Sequence, residues 1–423
     1  MSLQSRSADE IRTLHAEMEQ AYAALQQAGL TLDLTRGKPS PDQLDLASAL
    51  LEEPGQDFRD SAGTDTRNYG GLVGNADLRA TFGPLMGVPP EQVVAGDNAS
   101  LAIMHDLVVF GLLKGVVGSP RPWGEEDEVV FLCPAPGYDR HFAICEQYGI
   151  TMRAIEMHDD GPDVEAVRRE VADPAVKGMW IVPTYANPTG AVVSDEVATA
   201  LAQMPTAAPD FRIFWDNAYA VHHLTEERTP TADILGLCER AGHGDRPFVL
   251  ASTSKITFAG SGVSFFGASA DNVAWYTGLI GKRTIGPDKV NHLRHARLLP
   301  DAEAVHAHMD GHRAILAPKF AAVQEILQDR LGGHDVATWT DPAGGYFVSL
   351  DVPDGTASRV VALAKEAGIA LTPAGASFPH GHDPRDRNIR IAPSFPSMAD
   401  LRAAMEGLAT CVLLAATEQR LDA

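Results

Sequence analysis

The chain reads as an α/β protein: a large domain whose mainly parallel sheet is covered by helices, plus a smaller α+β domain. Three observations predict this. With 423 residues, 45% of them hydrophobic, the chain can bury a large core and exceeds one ordinary domain. From about residue 90 to about residue 295, short β-rich runs alternate with longer helical ones, as in a parallel sheet covered on both faces. From about Asp301 the alternation gives way to long helices with isolated strands between them. The implied division is an N-terminal segment (1–50) packing on the small domain, a large domain (51–300) and a small C-terminal domain (301–423).

Residues 1–30 spread acids and bases among apolar side chains at helical spacing and lack an apolar signal core, so they read as an amphipathic helix. With "LTRGKPSPDQLDLA" behind it, this segment is expected to return to the smaller body. The strands then follow: "QVVAG", "VVFLC" (129–133), "MRAIEM" (152–157), "MWIVP" (179–183), "FRIFW" (211–215), "FVLAS" (248–252) and "SFFGAS" (264–269). Most are rich in the β-branched and aromatic residues that fit a pleated surface. A long helix over Ala302–Leu331 joins the two bodies. It leads into "YFVSLDV", a helix around Ser358–Ala367, the strand "NIRIAP" and a last helix near Met398–Thr417.

Composition narrows the function. A formal net charge of −22 and a pI near 5.0 argue against nucleic-acid and anionic-membrane surfaces, both of which need basic patches. The longest apolar region, "LAIMHDLVVFGLLKGVVG", is interrupted by Asp106 and Lys114 and does not read as a membrane span. Cys133, Cys145, Cys238 and Cys411 are widely spaced and form no CxxC pair, which favours a reducing, cytoplasmic setting. The 15 histidines include "HAH", "HGH" and His222–His223, but none sits at a metal-site spacing. "GLIGKRT" lacks the spacing of a phosphate loop, and no GxGxxG opens a helix after a strand.

Between Arg246 and Asp271 the only charged residue is Lys255, in "VLASTSKITFAGSG". A lysine between two apolar runs is buried, paired or used. Other chemistry-bearing residues also follow strands, where an open α/β sheet binds its ligands. Asn187 follows "MWIVP", Asp216 and Tyr219 follow "FRIFW", Tyr138 follows "VVFLC", and the Ala99–Ser100 helix start follows "QVVAG". Together they suit pyridoxal 5′-phosphate. Its aldehyde needs a lysine (Lys255), its ring nitrogen a carboxylate (Asp216), and its phosphate hydroxyls and N–H groups at a helix start (Ser100 with Ser252 or Ser254). Asn187 and Tyr219 can serve its phenolic oxygen, and Tyr138 can stack on the ring.

Each residue also has a plainer reading. A lone Lys255 would ordinarily be solvated, a reading that its charge-free surroundings reverse; Asp216 and Ser100 could be helix caps, Asn187 a turn starter, Tyr138 a core aromatic, and Arg390 half of an edge ion pair.

"YANPTG", "DNAY", "STSK" and "NIRIAPS" stand in an order and spacing that resemble the fold-type I pyridoxal-phosphate enzymes, specifically the class I aminotransferases, over nearly the whole chain. The resemblance implies a seven-stranded type of sheet. It makes Lys255 the Schiff-base lysine, Asp216 the ring-nitrogen partner, Asn187 and Tyr219 the phenolic-oxygen ligands, and Arg390 the clamp on the substrate α-carboxylate. "NYGGLVGNADLR" matches the segment whose tyrosine, Tyr69, reaches the neighbouring subunit's phosphate, which implies a homodimer with shared sites. Gly37 of "TRGKP" matches the segment lying over the substrate.

The pattern departs from the family where an arginine is expected and Val263 stands, leaving Lys282 and Arg283 as candidate phosphate cations. This variant resembles a divergent MocR-like group, some of whose members act on aspartate, with no N-terminal helix-turn-helix segment expected here. The implied activity is amino transfer between an L-amino acid, first choice aspartate, and 2-oxoglutarate. Arg36, Arg140 or Arg283 would meet the acidic side chain. A pyridoxal-phosphate lyase or decarboxylase, or a non-catalytic effector-binding protein, would use the same residues.

Overall fold

The computed structural model describes residues 2–422. The helix Ala8–Gln27 opens on a capping box in which Ser7 Oγ accepts from Glu10 N and the Glu10 carboxylate accepts from Ser7 N. Its Ile11 and Leu14 enter a core shared with the terminal helix Met398–Asp422. Strand β1 (Leu32–Asp33) then pairs in parallel with Ile369–Ala370, fastening the N-terminal segment to the C-terminal body. Two residues are too few to show a period, and this pair is absent from the sequence expectation.

The large sheet comprises β2 (Val93–Ala95), β3 (Val130–Ala135), β4 (Thr151–His158), β5 (Gly161–Pro162), β6 (Val176–Ile181), β7 (Arg212–Asp216), β8 (Pro247–Ser252) and β9 (Ser264–Gly267). Their order is β2-β9-β8-β7-β6-β3-β4-β5. The five strands β4, β3, β6, β7 and β8 run parallel, and β9 runs antiparallel between β8 and β2. Alternate residues of one strand feed opposite cores. Ile213 and Trp215 join Leu132, Met179 and Val249 on one face, while Phe214 joins Phe131, Trp180 and Phe248 on the other. Burial on both faces is why these strands read as unbroken apolar runs.

The sheet has eight strands rather than seven. A tight turn at Asp159–Asp160 folds Gly161–Pro162 back onto the end of β4. The strand expected over 179–183 runs instead from Val176 to Ile181, because the chain turns off after Ile181 toward Asn187.

The helix Ala302–Leu331 ties the two bodies together: Val305 and Met309 lie in the large-domain core, and Phe320, Val323, Ile326 and Leu327 in the other. Beyond it, β10 (Thr338–Trp339), β11 (Val348–Asp351) and β13 (Asn388–Ile391) form an antiparallel sheet, with β12 (Ile369–Ala370) pairing β1. The register sets Ser349 opposite Arg390. The last helix extends past Thr417 to Asp422. Among the described residues no helix is long and apolar enough to cross a membrane.

Candidate active site

Strand β7 ends on Asp216, whose side chain is almost fully buried. Its Oδ2 lies 3.0 Å from His141 Nε2, and its Oδ1 is buried without a partner. His141 is held in turn by stacking on Trp180, with ring centroids 4.5 Å apart and planes within 9°. One oxygen of the carboxylate is therefore fixed by the protein, and the other is left for a donor that the fold does not supply. His141 stands in the first turn of the helix Asp139–Gln147, three residues after Tyr138. No local pattern in the sequence singles it out.

Lys255 follows β8 through a turn, and its ammonium stands over the Tyr219 ring, 4.8 Å from the centroid. Tyr219 is buried; burial and then the Asp216 charge push its phenol well above the ordinary range, against the opposing pull of Arg390. Burial pushes Tyr138 up to about 12, against the charge of Lys255. Both phenols therefore remain protonated hydrogen-bond donors at neutral pH.

The helix Ser100–Lys114 begins beyond β2, with Ala99 held at a φ of 72° as its N-cap. A positive φ at a non-glycine residue is strained and marks a backbone fixed by its surroundings. Ser254 N donates to Ser252 Oγ at 3.4 Å. A methyl on Gly262 would meet Thr253 Oγ1, Ser254 N and Asn98 Oδ1 at 3.2–3.4 Å, so the helix-start loop and the lysine loop converge on a bare glycine. Val263 is fully buried in the sheet core, so position 263 offers no cation. Arg283 is drawn to Asp106, 3.1 Å away and six residues along the helix from Ser100, and Lys282 is exposed.

At the other end, Arg390 Nη1 reaches Asp139 Oδ1 (3.2 Å) and Asn187 Oδ1 (3.5 Å), while Nη2 reaches Thr372 Oγ1 (3.3 Å). Its Nε is buried without a partner, and its guanidinium lies 5.0 Å from the Phe347 ring centroid. Gly37 presses on the same ring: a Cβ there would stand 2.1 Å from Phe347 Cζ. Thus Lys255, Asp216, Tyr219, Tyr138, Asn187, Arg390 and, through Phe347, Gly37 form one connected group. Arg36 is turned to Asp33 (2.7 Å) and largely exposed, Arg140 is exposed, and Tyr69 is 80% exposed on this single chain.

Pyridoxal phosphate fits this donor set. The unpartnered Asp216 Oδ1 can take a ring N–H, the N–H groups at the start of the helix Ser100–Lys114 suit a phosphate, and Lys255 stands over the ring of Tyr219, which packs edge-on to the Phe347 ring beside Arg390.

The family model described as aspartate amino-transferase matches residues 6–423. A Mycolicibacterium smegmatis protein provisionally named an aminotransferase is 60% identical over 99% of both chains. The Corynebacterium glutamicum aspartate aminotransferase is 55% identical over 99% of this chain and 97% of its own. The crystal structure of an aspartate transaminase from Corynebacterium glutamicum, 55% identical, superposes with a TM-score of 0.97 and covers 99% of each chain.

Proposed function

Because the chain belongs to the aspartate aminotransferase family, we propose that it moves the amino group of L-aspartate to 2-oxoglutarate, with Lys255 as the central base. The enzyme is a pyridoxal-phosphate aminotransferase acting on amino acids and 2-oxo acids. The observation that carries the site assignment is the buried Asp216, gripped by His141 on one oxygen and open on the other, with Lys255 over the Tyr219 ring and Tyr219 edge-on to the Phe347 ring beside Arg390.

Bound there, pyridoxal phosphate supplies an aldehyde for an amine and an electron sink for the pair released at the substrate α-carbon. The chain's own residues do the rest. Lys255 Nζ accepts the α-proton and returns it one position along. Asp216 Oδ1 accepts the ring N–H and keeps that nitrogen protonated. Tyr219 and Asn187 would donate to the phenolic oxygen, and Tyr138 would pack against the ring. Ser100, Ser252, Ser254 and the N–H groups after Ala99 hold the phosphate. Arg390 exchanges Asp139 for the substrate α-carboxylate, which its planar fork suits. Gly37 brings its segment over the substrate, and Arg36 meets the second carboxylate after releasing Asp33.

A homodimer with Tyr69 completing the partner's phosphate site is part of the same reading; an 80% exposed tyrosine supports it. Four free, buried cysteines support a cytoplasmic setting.

The test is to add L-aspartate to the cofactor-loaded protein with no 2-oxo acid present, following the visible spectrum and assaying oxaloacetate. One oxaloacetate per site with a spectral change supports both the site and the substrate. A loaded protein that leaves aspartate untouched, yet converts another amino acid, overturns the substrate alone.

A further inference from the structure

The main-chain carbonyls of Lys255 and Ile256 are met by side chains from three separate segments. His222 Nε2 and the Tyr346 hydroxyl approach Lys255 O at 3.3 and 3.4 Å. His308 Nε2 and His312 Nε2, from the helix Ala302–Leu331, reach Ile256 O at 2.7 and 2.9 Å. A fourth segment joins them: Gln43 Nε2 lies 2.9 Å from His312 Nδ1 and 2.8 Å from the Tyr346 oxygen, while Gln43 Oε1 accepts from Ser40 N at 3.1 Å. Gln43 and Tyr346 are fully buried, and His312 is 1% exposed.

The contacts admit one arrangement of protons. A carbonyl only accepts, so each imidazole presents Nε2–H to it, and His312 Nδ1 is left as an acceptor. Gln43 gives one amide hydrogen to His312 and the other to Tyr346, which frees the Tyr346 hydrogen for Lys255 O. Two cationic imidazoles whose Nε2 atoms stand 3.3 Å apart would repel; burial keeps both neutral, holding His312 down to about 4. Every side-chain polar atom of Gln43, Tyr346 and His312 has a partner, whereas His222 Nδ1 is buried without one, and buried groups so satisfied hold one geometry. Gln43 stands only six residues after Gly37.

We propose that Gln43, Tyr346 and His312 are positioning residues for Lys255, tying the peptide groups at the lysine to the segment that carries Gly37, so that the seating of that segment sets the reach of the amine. This rests on the reading of Lys255 as the cofactor lysine.

Two variants test it. Tyr346→Phe keeps the ring and removes one hydroxyl, and Gln43→Leu removes the link between segments. In cofactor-free protein, deuterium exchange across residues 253–258 should quicken about threefold or more. In the holoenzyme, the single-turnover rate with L-aspartate should fall about tenfold while half-saturation stays within twofold, with a changed visible circular dichroism of the cofactor. Unchanged exchange, rate and dichroism in Tyr346→Phe overturn the proposal, as does a loss of thermal stability with none of the three altered. Borohydride fixation in the parent protein separates the layers. A cofactor fixed on another residue overturns both readings, whereas fixation on Lys255 with normal variants overturns the positioning role alone.

Discussion

Replacing Gly37 by alanine adds one methyl group whose destination is already occupied. Its Cβ would stand 2.1 Å from Phe347 Cζ and 2.5 Å from Cε1, about 1.3 Å inside ordinary contact. Phe347 is 5% exposed and has the Arg390 guanidinium 5.0 Å from its ring centroid, so it cannot retreat freely. Either the ring turns toward Arg390 or the Gly37 segment lifts. Overpacking of this kind costs about 1–3 kcal/mol. If that cost falls on the grip of Arg390 on the α-carboxylate, KM for L-aspartate rises about 5- to 150-fold. Steady-state kinetics and a thermal melt of the Gly37→Ala protein measure the two routes separately. Adding Phe347→Leu trims the obstructing ring and should recover part of the loss, a coupling that a double-mutant cycle quantifies. An unchanged KM beside an unchanged melt would refute the overlap argument. A lower melting temperature at constant KM would refute the connection between Gly37 and Arg390.

Mixing inactive Lys255→Ala chains with inactive Tyr69→Ala chains should restore activity, because one site of each mixed dimer would regain both residues; no recovery after verified subunit exchange counts against shared sites. His141→Asn removes the imidazole beside Asp216 Oδ2; hydrogen bonds to charged groups contribute about 1.5–3 kcal/mol, so the cofactor dissociation constant should rise, by at most about 10- to 150-fold. Equal cofactor retention in that variant would leave His141 without a role at Asp216. His295 is fully buried between Thr257 Oγ1 and Asn291 O, and burial lowers it to about 4. The unfolded chain therefore takes this proton first: the stability is complete above about pH 6.5 and is lost as pH falls toward 4, reaching about 2 kcal/mol at pH 5. Urea midpoints at pH 7.5 and 5 should separate less in His295→Gln than in the parent, and equal separation would remove His295 from the acid response.

The parts of the site legible in the sequence are those fixed by local geometry. Lys255, Asp216, Asn187 and Tyr138 each stand just past or at the end of an apolar run, so strand ends alone gathered them. His141 escapes a reading of the sequence because its partner lies 75 residues on and its place depends on stacking against Trp180 of a strand. Gln43 and Tyr346 meet across 303 residues, a separation no local pattern records. The missing arginine at Val263 was visible as a departure, but only the fold shows that this side chain lies in the sheet core and that Arg283 answers Asp106. Two-residue strands such as β1 and β12 escape for the same reason: they exist only as partners.

The docking of Ala8–Gln27 on Met398–Asp422 also fixes an order of events during synthesis. His15 Nδ1 meets Thr417 Oγ1 at 3.0 Å across 402 residues, and Ile11 and Leu14 share a core with Leu408 and Leu413. At a translation rate of about 5–20 residues per second, the early helix waits about 20–80 s for its counterpart. Throughout that interval its apolar stripe lacks the cover that Met398–Asp422 gives it, so a nascent chain arrested before Met398 presents part of it to chaperones. The body that carries Arg390 closes only after translation has passed Thr417.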